Sequence, residues 1–124
     1  MRKERPKNLD LSTLKFPITA IASILHRLSG VIVFIVLALF LILLNCSLSS
    51  EQDFLTVASY FDHPLFDFVI WGGLTALAFH AVFGVRHMIQ DLGFWEEMDS
   101  AVLSAKFSFI LTAVLSVLAG ILVW

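Results

Sequence analysis

Three long runs without a charged residue constrain this chain more than any other feature of its sequence. They extend from Leu28 to Ser50, from Phe68 to Val85 and from Phe107 to Trp124. A helix needs about 20 residues, rising about 1.5 Å each, to cross about 30 Å of hydrocarbon, and each run has or approaches that length. The runs therefore predict three transmembrane segments.

The fold class follows from the membrane environment. Inside a bilayer, backbone N–H and C=O groups must be paired within the protein, which only helices and closed barrels achieve, and three segments cannot close a barrel. The composition agrees, because 59% of the 124 residues are hydrophobic and only 15% are charged. We predict an all-α integral membrane protein forming one domain over residues 1–124, with helices at about 17–48, 65–91 and 104–124.

The composition also excludes several kinds of site. The single cysteine, Cys46, cannot by itself form a zinc site, an iron–sulfur cluster or an internal disulfide. There is no glycine-rich nucleotide loop and no nucleophile elbow. We therefore expect no self-contained catalytic centre, and no nucleic-acid partner.

Lysine and arginine are confined to one side of the predicted membrane. The first loop, from Glu51 to Asp67, has none, so the positive-inside rule places the N-terminus in the cytoplasm and Trp124 on the periplasmic side. Acidic residues near the N-terminus argue against an organelle-targeting peptide, which favours a bacterial inner membrane. The basic residues are Arg2, Lys3, Arg5, Lys7, Lys15, Arg27, Arg86 and Lys106.

The first predicted helix carries a polar face inside its apolar sequence, in the stretch SILHRLSG. Ser23, Arg27 and Gly30 are spaced four and three residues apart, so they share one face, and His26 adjoins it. A charged side chain inside a span costs about 2.5–3.5 kcal/mol on insertion scales and usually faces a partner, a cavity or a ligand. The alternative is that Arg27 extends its long side chain to the headgroups.

The second predicted helix carries a stripe of small residues around a histidine. Gly73, Ala76, His80 and Gly84 lie on one face, which continues to His87. Such a stripe is typical of close helix packing with the histidine hydrogen-bonded across the interface. It equally suits a bulky flat cofactor, because histidine is the usual haem ligand.

The two polar regions lie at similar depths. Arg27 and His80 are each about ten residues from the end of their helix that we place at the cytoplasm. A haem ligated by His80 would need cations for its propionates, which Arg27 or His26 could supply. Arg27 and Ser23 could equally hydrogen-bond the carbonyl group of a quinone.

Three segments of the chain resemble a known family. The patterns Ser-x-x-His-Arg-x-Ser-Gly and His-x-x-x-Gly-x-Arg-His-x-x-x-Asp are similar to those of the cytochrome b556 subunits of succinate dehydrogenase. The resemblance covers nearly the whole chain, including its length and its three helices. The segments are Arg5–Leu11, Phe16–Gly30 and His80–Asp91.

The resemblance implies a membrane-anchor subunit of respiratory complex II, in an electron-transport chain linked to the tricarboxylic acid cycle. A flavoprotein with FAD would oxidise succinate, an iron–sulfur subunit would relay electrons, and two anchor subunits would form a helix bundle that holds haem b and the ubiquinone site. This chain alone would then not oxidise succinate.

The resemblance also implies individual roles. His80 would be one axial ligand of the haem iron, the other coming from the second anchor subunit. His26, Arg27 and, less directly, His87 would contact the haem propionates or edge. Ser23 and Arg27, with the intervening Ile24, would bind ubiquinone.

Other functions remain open on the sequence. A fumarate reductase anchor would run the reverse reaction with menaquinol. A cofactor-free structural or assembly subunit, or a small proton-conducting bundle using Arg27 and His80, would have the same hydropathy pattern. An absorbance spectrum distinguishes the readings with haem from those without it.

Overall fold

The computed structural model describes residues 15–124, which form four α-helices and a short 3-10 turn, with no strand among them. Three of the helices are long and apolar enough to cross a membrane, so the predicted all-α fold with three transmembrane helices is confirmed. The expectations for Arg2, Lys3, Arg5, Lys7 and the segment Arg5–Leu11 lie outside the described residues. The elements are α1 (Ile18–Ser47), α2 (Glu51–Ser59), the 3-10 turn (Tyr60–Asp62), α3 (Pro64–Asp91) and α4 (Met98–Val123).

The bounds of α1 and α3 differ from the predicted ones by at most one residue, whereas α4 begins earlier. It starts at Met98 instead of at residue 104. Asp99 lies in its first turn, where a carboxylate interacts favourably with the helix dipole, and Ser100 Oγ donates to Glu97 O at 3.0 Å. The uncharged run indicates only the part of the helix suited to hydrocarbon, and the helix extends beyond it.

A short helix, α2, occupies part of the segment that we expected to be a loop. It follows Ser50, whose hydroxyl accepts from Asp53 N at 3.0 Å and donates to Asp53 Oδ2 at 2.8 Å. Glu51 and Asp53 also place negative charge in the first turn. All of α2 except Val57 is exposed. Local capping therefore accounts for this helix better than burial does.

Local sequence signals determine both ends of α3. Pro64 occupies the first helical position, where a missing N–H leaves no hydrogen bond unmade, and His63 Nδ1 accepts from Leu65 N at 3.2 Å. At the other end, Gly93 has a φ of 92° and its N–H donates to Gln90 O at 2.9 Å. Gly93 thus forms a left-handed cap at the C-terminal end of α3.

The three long helices cross in alternating directions, with α3 between α1 and α4. In both helix pairs, contacts with later residues of one helix are made by earlier residues of the other, so both pairs are antiparallel. The contacts join Ser29 with His80 and Val36 with Gly73 for α1 and α3, and Arg86 with Ser104 and Trp71 with Ser116 for α3 and α4.

α4 packs on α3 through small side chains at helical spacing. Such residues allow close approach of two helices, which in a membrane is a main source of packing energy. Phe83 fills the centre of this contact: it is fully buried, stacks on Phe79 at 4.3 Å and meets the edge of Phe109 at 4.8 Å between ring centroids. The buried residues of α4 are Ala101, Ser104, Ala105, Ser108 and Thr112.

α1 contacts α3 along the predicted stripe of small residues. A Cβ atom built on Gly73 would lie 2.7 Å from Val36 Cγ1 and 3.6 Å from Phe40 Cζ, so the two helices touch where a side chain is missing. Only Ala22 and Ser29 of α1 are buried. Most of the other apolar side chains of this helix are exposed.

Replacing Gly73 by alanine tests the close approach of α1 and α3. We expect Gly73→Ala to lower the stability of the folded bundle by about 1–3 kcal/mol, because the new methyl group overpacks the contact with Val36. Gly72→Ala is the matched control, since a Cβ there meets nothing within 4 Å. Thermal unfolding of the detergent-solubilised protein measures both, and equal melting temperatures would contradict the packing described.

Candidate functional site

Three histidines come together where α1 crosses α3. The rings of His26 on α1 and His80 on α3 are stacked, with centroids 4.5 Å apart and an angle of 4° between the ring planes. His87 lies two turns further along α3, and its ring centroid is 5.0 Å from that of His26 at an angle of 51°. His26 therefore lies between the two histidines of α3.

A serine that the sequence analysis did not single out connects these histidines. Ser29 is buried, and its Oγ donates to His26 O at 2.6 Å. The same oxygen lies 3.1 Å from His80 Nδ1. Ser29 follows His26 by three residues, so a helical backbone places its hydroxyl beside that carbonyl group. The remaining ring nitrogen of His80, Nε2, makes no hydrogen bond with any of residues 15–124.

Two glycines make room for the rings. A Cβ atom on Gly30 would lie 3.1 Å from His80 Cε1, which is tighter than ordinary van der Waals contact. A Cβ atom on Gly84 would lie 3.5 Å from His26 Nε2. The missing side chain of Gly30 therefore lets the ring of His80 approach the backbone of α1. The missing side chain of Gly84 lets the ring of His26 approach the backbone of α3.

One polar atom of this cluster is buried and unpaired. His26 Nε2 has no hydrogen-bond partner among residues 15–124. An unsatisfied buried polar group costs about 1–3 kcal/mol, so such atoms usually indicate a partner from outside the protein chain. Among the described residues, no group of three or more His, Cys, Asp or Glu residues is arranged to hold a metal ion.

Arg27 and Ile24 are exposed on α1, whereas Ser23 lies one turn before Arg27, on the same face as Gly30. Arg27 is exposed and makes no hydrogen bond or ion pair with the described residues. Ile24 is 50% exposed and Ser23 is half-buried. None of these three side chains makes a hydrogen bond with the histidine cluster, and their binding roles stay predictions.

A second arginine, Arg86, has a different environment, which the sequence analysis missed. It is 4% exposed, and its Nε donates to Ser104 Oγ at 3.0 Å while Nη2 donates to Ala101 O at 3.0 Å. These bonds hold α3 to α4 and help to set the rotation of α3 that directs His87 towards α1. The sequence feature that could have indicated this pairing is Ser104, which lies on the face of small residues of α4.

A family model described as succinate dehydrogenase/fumarate reductase transmembrane subunit matches residues 1–119. The chain belongs to this family. The resemblance identified from the two histidine patterns is therefore confirmed. Membership in the family also implies that the chain is part of an oxidoreductase complex with other subunits.

Two relatives in the family are similar over most of their length. A succinate dehydrogenase cytochrome b556 subunit of Coxiella burnetii (strain RSA 493 / Nine Mile phase I) is 37% identical over 125 residues, covering 100% of both chains. A succinate dehydrogenase cytochrome b556 subunit of Paracoccus denitrificans is 29% identical over 118 residues, covering 94% of this chain and 90% of that protein. The likeness is thus not confined to the histidine patterns.

Proposed function

We propose that residues 1–124 form one membrane-anchor domain of a succinate:quinone oxidoreductase that helps to bind haem b and forms part of the ubiquinone-reduction site. The observation that carries this proposal is the half-buried ring of His80. Its Nδ1 is engaged by Ser29 and its Nε2 makes no hydrogen bond within the described chain. A histidine held through one ring nitrogen is typical of a metal ligand.

The residues around His80 fit a haem group. Haem b, when bound, supplies one-electron transfer. His80 would ligate the iron, and the buried, unpaired His26 Nε2 and the exposed guanidinium of Arg27 would supply donors for propionates. A guanidinium group suits carboxylates because it offers several N–H donors in a planar fork. His87, beside His26, would lie near the edge of the haem.

A second protein ligand would come from another subunit. The rings of His26 and His80 lie face to face, so their nitrogen lone pairs, which lie in the ring planes, do not converge on one point between them. The two histidines cannot therefore both ligate one iron in this arrangement. This supports a haem shared with a second anchor subunit, which would supply the other axial histidine.

The outward face of α1 suits a quinone headgroup. Arg27 lies about 14 Å along α1 from its first residue, given a rise of about 1.5 Å per residue. Its charge would hydrogen-bond a quinone carbonyl oxygen, together with the hydroxyl of Ser23 one turn earlier, and Ile24 would contact the apolar ring. These groups would orient ubiquinone and bring a positive charge to the oxygen that takes up a proton.

The chemistry of succinate would take place in other subunits. The described chain has neither a nucleotide-binding loop nor a cluster of cysteines. A flavoprotein with FAD would oxidise succinate, and an iron–sulfur subunit would pass electrons to the anchor. This chain alone would not oxidise succinate; its residues would bind, orient and supply charge to the cofactors.

The positions of the described basic residues support one orientation in the membrane. Because the long helices alternate in direction, Lys15, Arg86 and Lys106 all lie towards the same end of the bundle. We propose a multi-pass protein of the bacterial inner membrane with its N-terminus in the cytoplasm and its C-terminus in the periplasm. Lipid would surround the exposed apolar side chains.

A cofactor-free structural anchor is the second candidate. The stacked histidines and the Ser29 hydrogen bond form a closely packed interface between α1 and α3 without any ligand, as a purely structural role requires. A haem absorbance band separates the two candidates. A fumarate reductase anchor differs in the direction of the reaction and would share the same band.

Replacing His80 by leucine tests the proposed ligation. We expect the dithionite-reduced minus oxidised spectrum of the purified complex to show a b-type haem band, and expect His80→Leu to abolish or shift it, since leucine has no nitrogen to bind iron. The variant should still assemble, because an apolar side chain of similar size replaces the ring.

A histidine at the other end of α3 provides the control. His63→Ser should leave the spectrum unchanged, because serine also caps helix N-termini and position 63 is far along α3 from His80. An unchanged haem band in His80→Leu would refute the ligation. The absence of a band in the parent complex would favour the structural anchor.

Replacing Arg27 by leucine tests the quinone site. We expect Arg27→Leu to slow ubiquinone reduction by about 10- to 100-fold, the equivalent of a hydrogen bond to a charged group worth about 1.5–3 kcal/mol. Haem content should fall less. Quinone reductase rates and haem stoichiometry of the same preparations check this. We expect the rate of Arg27→Lys to lie between those of the parent and of Arg27→Leu. A parental rate in Arg27→Leu would exclude Arg27 from the quinone site.

A further inference from the structure

Ser29 touches two groups with a single hydroxyl proton. Its Oγ lies 2.6 Å from His26 O and 3.1 Å from His80 Nδ1. A backbone carbonyl oxygen can only accept a hydrogen bond, whereas a neutral imidazole nitrogen either donates or accepts. The shorter contact therefore takes the hydroxyl proton, because otherwise two lone pairs would face each other at 2.6 Å.

This assignment determines the proton on His80. Since the Ser29 hydroxyl donates to His26 O, its oxygen accepts from His80, and Nδ1 carries the hydrogen. A neutral imidazole has only one N–H, so Nε2 carries the lone pair. In solution either nitrogen can carry the proton; next to Ser29 only one tautomer makes the hydrogen bond.

The ring is also fixed in its rotation. Gly30 lies beside the Nδ1–Cε1 edge of the ring, with its virtual Cβ 3.1 Å from His80 Cε1, and the ring of His26 covers one face at 4.5 Å. Turning the ring over would move Nδ1 away from Ser29 and break the hydrogen bond. The buried hydroxyl and its surroundings thus select both the tautomer and the orientation of His80.

We propose that Ser29 is a positioning residue for haem ligation: it holds Nδ1–H of His80 so that the Nε2 lone pair is the one presented to iron. The proposal rests on His80 being the axial ligand, as put forward above. Ser29 also tunes the ligand. A hydrogen bond from Nδ1–H to an oxygen makes the opposite nitrogen a stronger donor. A hydroxyl that is itself donating to a carbonyl group is a better acceptor.

The effect of removing Ser29 therefore has a direction. A weaker axial donor stabilises the ferric state less, so the haem midpoint potential rises when the hydroxyl is lost. The low-spin EPR g values change as well, because they depend on the orientation and donor strength of the axial imidazole. A residue that only fills space between α1 and α3 would leave both quantities unchanged in any variant that keeps the packing.

The experiment uses the purified complex with Ser29→Ala, Ser29→Cys and Ser29→Thr. Alanine removes the hydroxyl, and cysteine fills similar space with a much weaker acceptor. Threonine restores a hydroxyl, whose oxygen can bond a carbonyl group one turn back in a helix. Ser108→Ala is the matched control, because Ser108 is equally buried at 5% and donates to Ser104 O at 2.8 Å on a helix away from the histidines.

We expect a raised potential and altered g values in Ser29→Ala and Ser29→Cys, recovery towards parental values in Ser29→Thr, and no change in Ser108→Ala. If Ser29→Ala fails to assemble, Ser29→Cys decides. Parental potential and g values in the variants lacking the hydroxyl would overturn the positioning role while leaving the ligation by His80 intact. An unchanged haem band in His80→Leu would overturn the ligation itself, and the role of Ser29 with it.

Discussion

Hydrocarbon offers no hydrogen bonds, so a polar group inside a span has to find its partner within the protein or a ligand. Several polar side chains of the described spans meet this requirement within their own helix. The hydroxyl groups of Ser29, Ser104 and Ser108 all donate to carbonyl oxygens one turn back in their own helices. Arg86 is buried only because α4 supplies it with a hydroxyl and a carbonyl oxygen. The packing of these helices therefore depends on hydrogen bonds between polar groups as well as on contacts between apolar side chains.

Several polar groups of the described spans lack a partner there, and two of them, on His26 and Arg27, have a proposed function; others are Asp67 Oδ1 and Thr112 Oγ1. His26 Nε2 is buried without a partner among the described residues, and Arg27 extends its charge from the open side of α1. Arg86, which makes two hydrogen bonds, and Arg27, which makes none with the described residues, differ in their surroundings. Arg86 faces the next helix of the same chain, while Arg27 faces whatever lies against α1. Under the proposed function, that occupant supplies oxygen acceptors, as propionates and quinone carbonyls both do.

The sequence predicted the long helices well because hydropathy depends on local composition. The start of α4 and the existence of α2 were missed because both rely on polar capping residues, such as Ser50 and Asp99, outside the uncharged runs. The histidine stripe on α3 was visible from spacing. Its partner was not, since the contact between Ser29 and His80 joins residues 51 positions apart and depends on how two helices are rotated. The spacing of residues along the sequence shows which side chains share a face of one helix. It does not show which residues of another helix contact that face.

α1 and α4 are attached to α3 in different ways, and this bears on assembly. Five buried small residues hold α4, whereas α1 contributes only Ala22 and Ser29 to the buried interior. The histidine cluster and the close contact at Gly73 join α1 to α3. A ligand that binds only the assembled helices stabilises them by mass action. A haem bound through His80 and His26 would therefore strengthen the weaker seam of the bundle, so that cofactor binding and the docking of α1 would depend on each other.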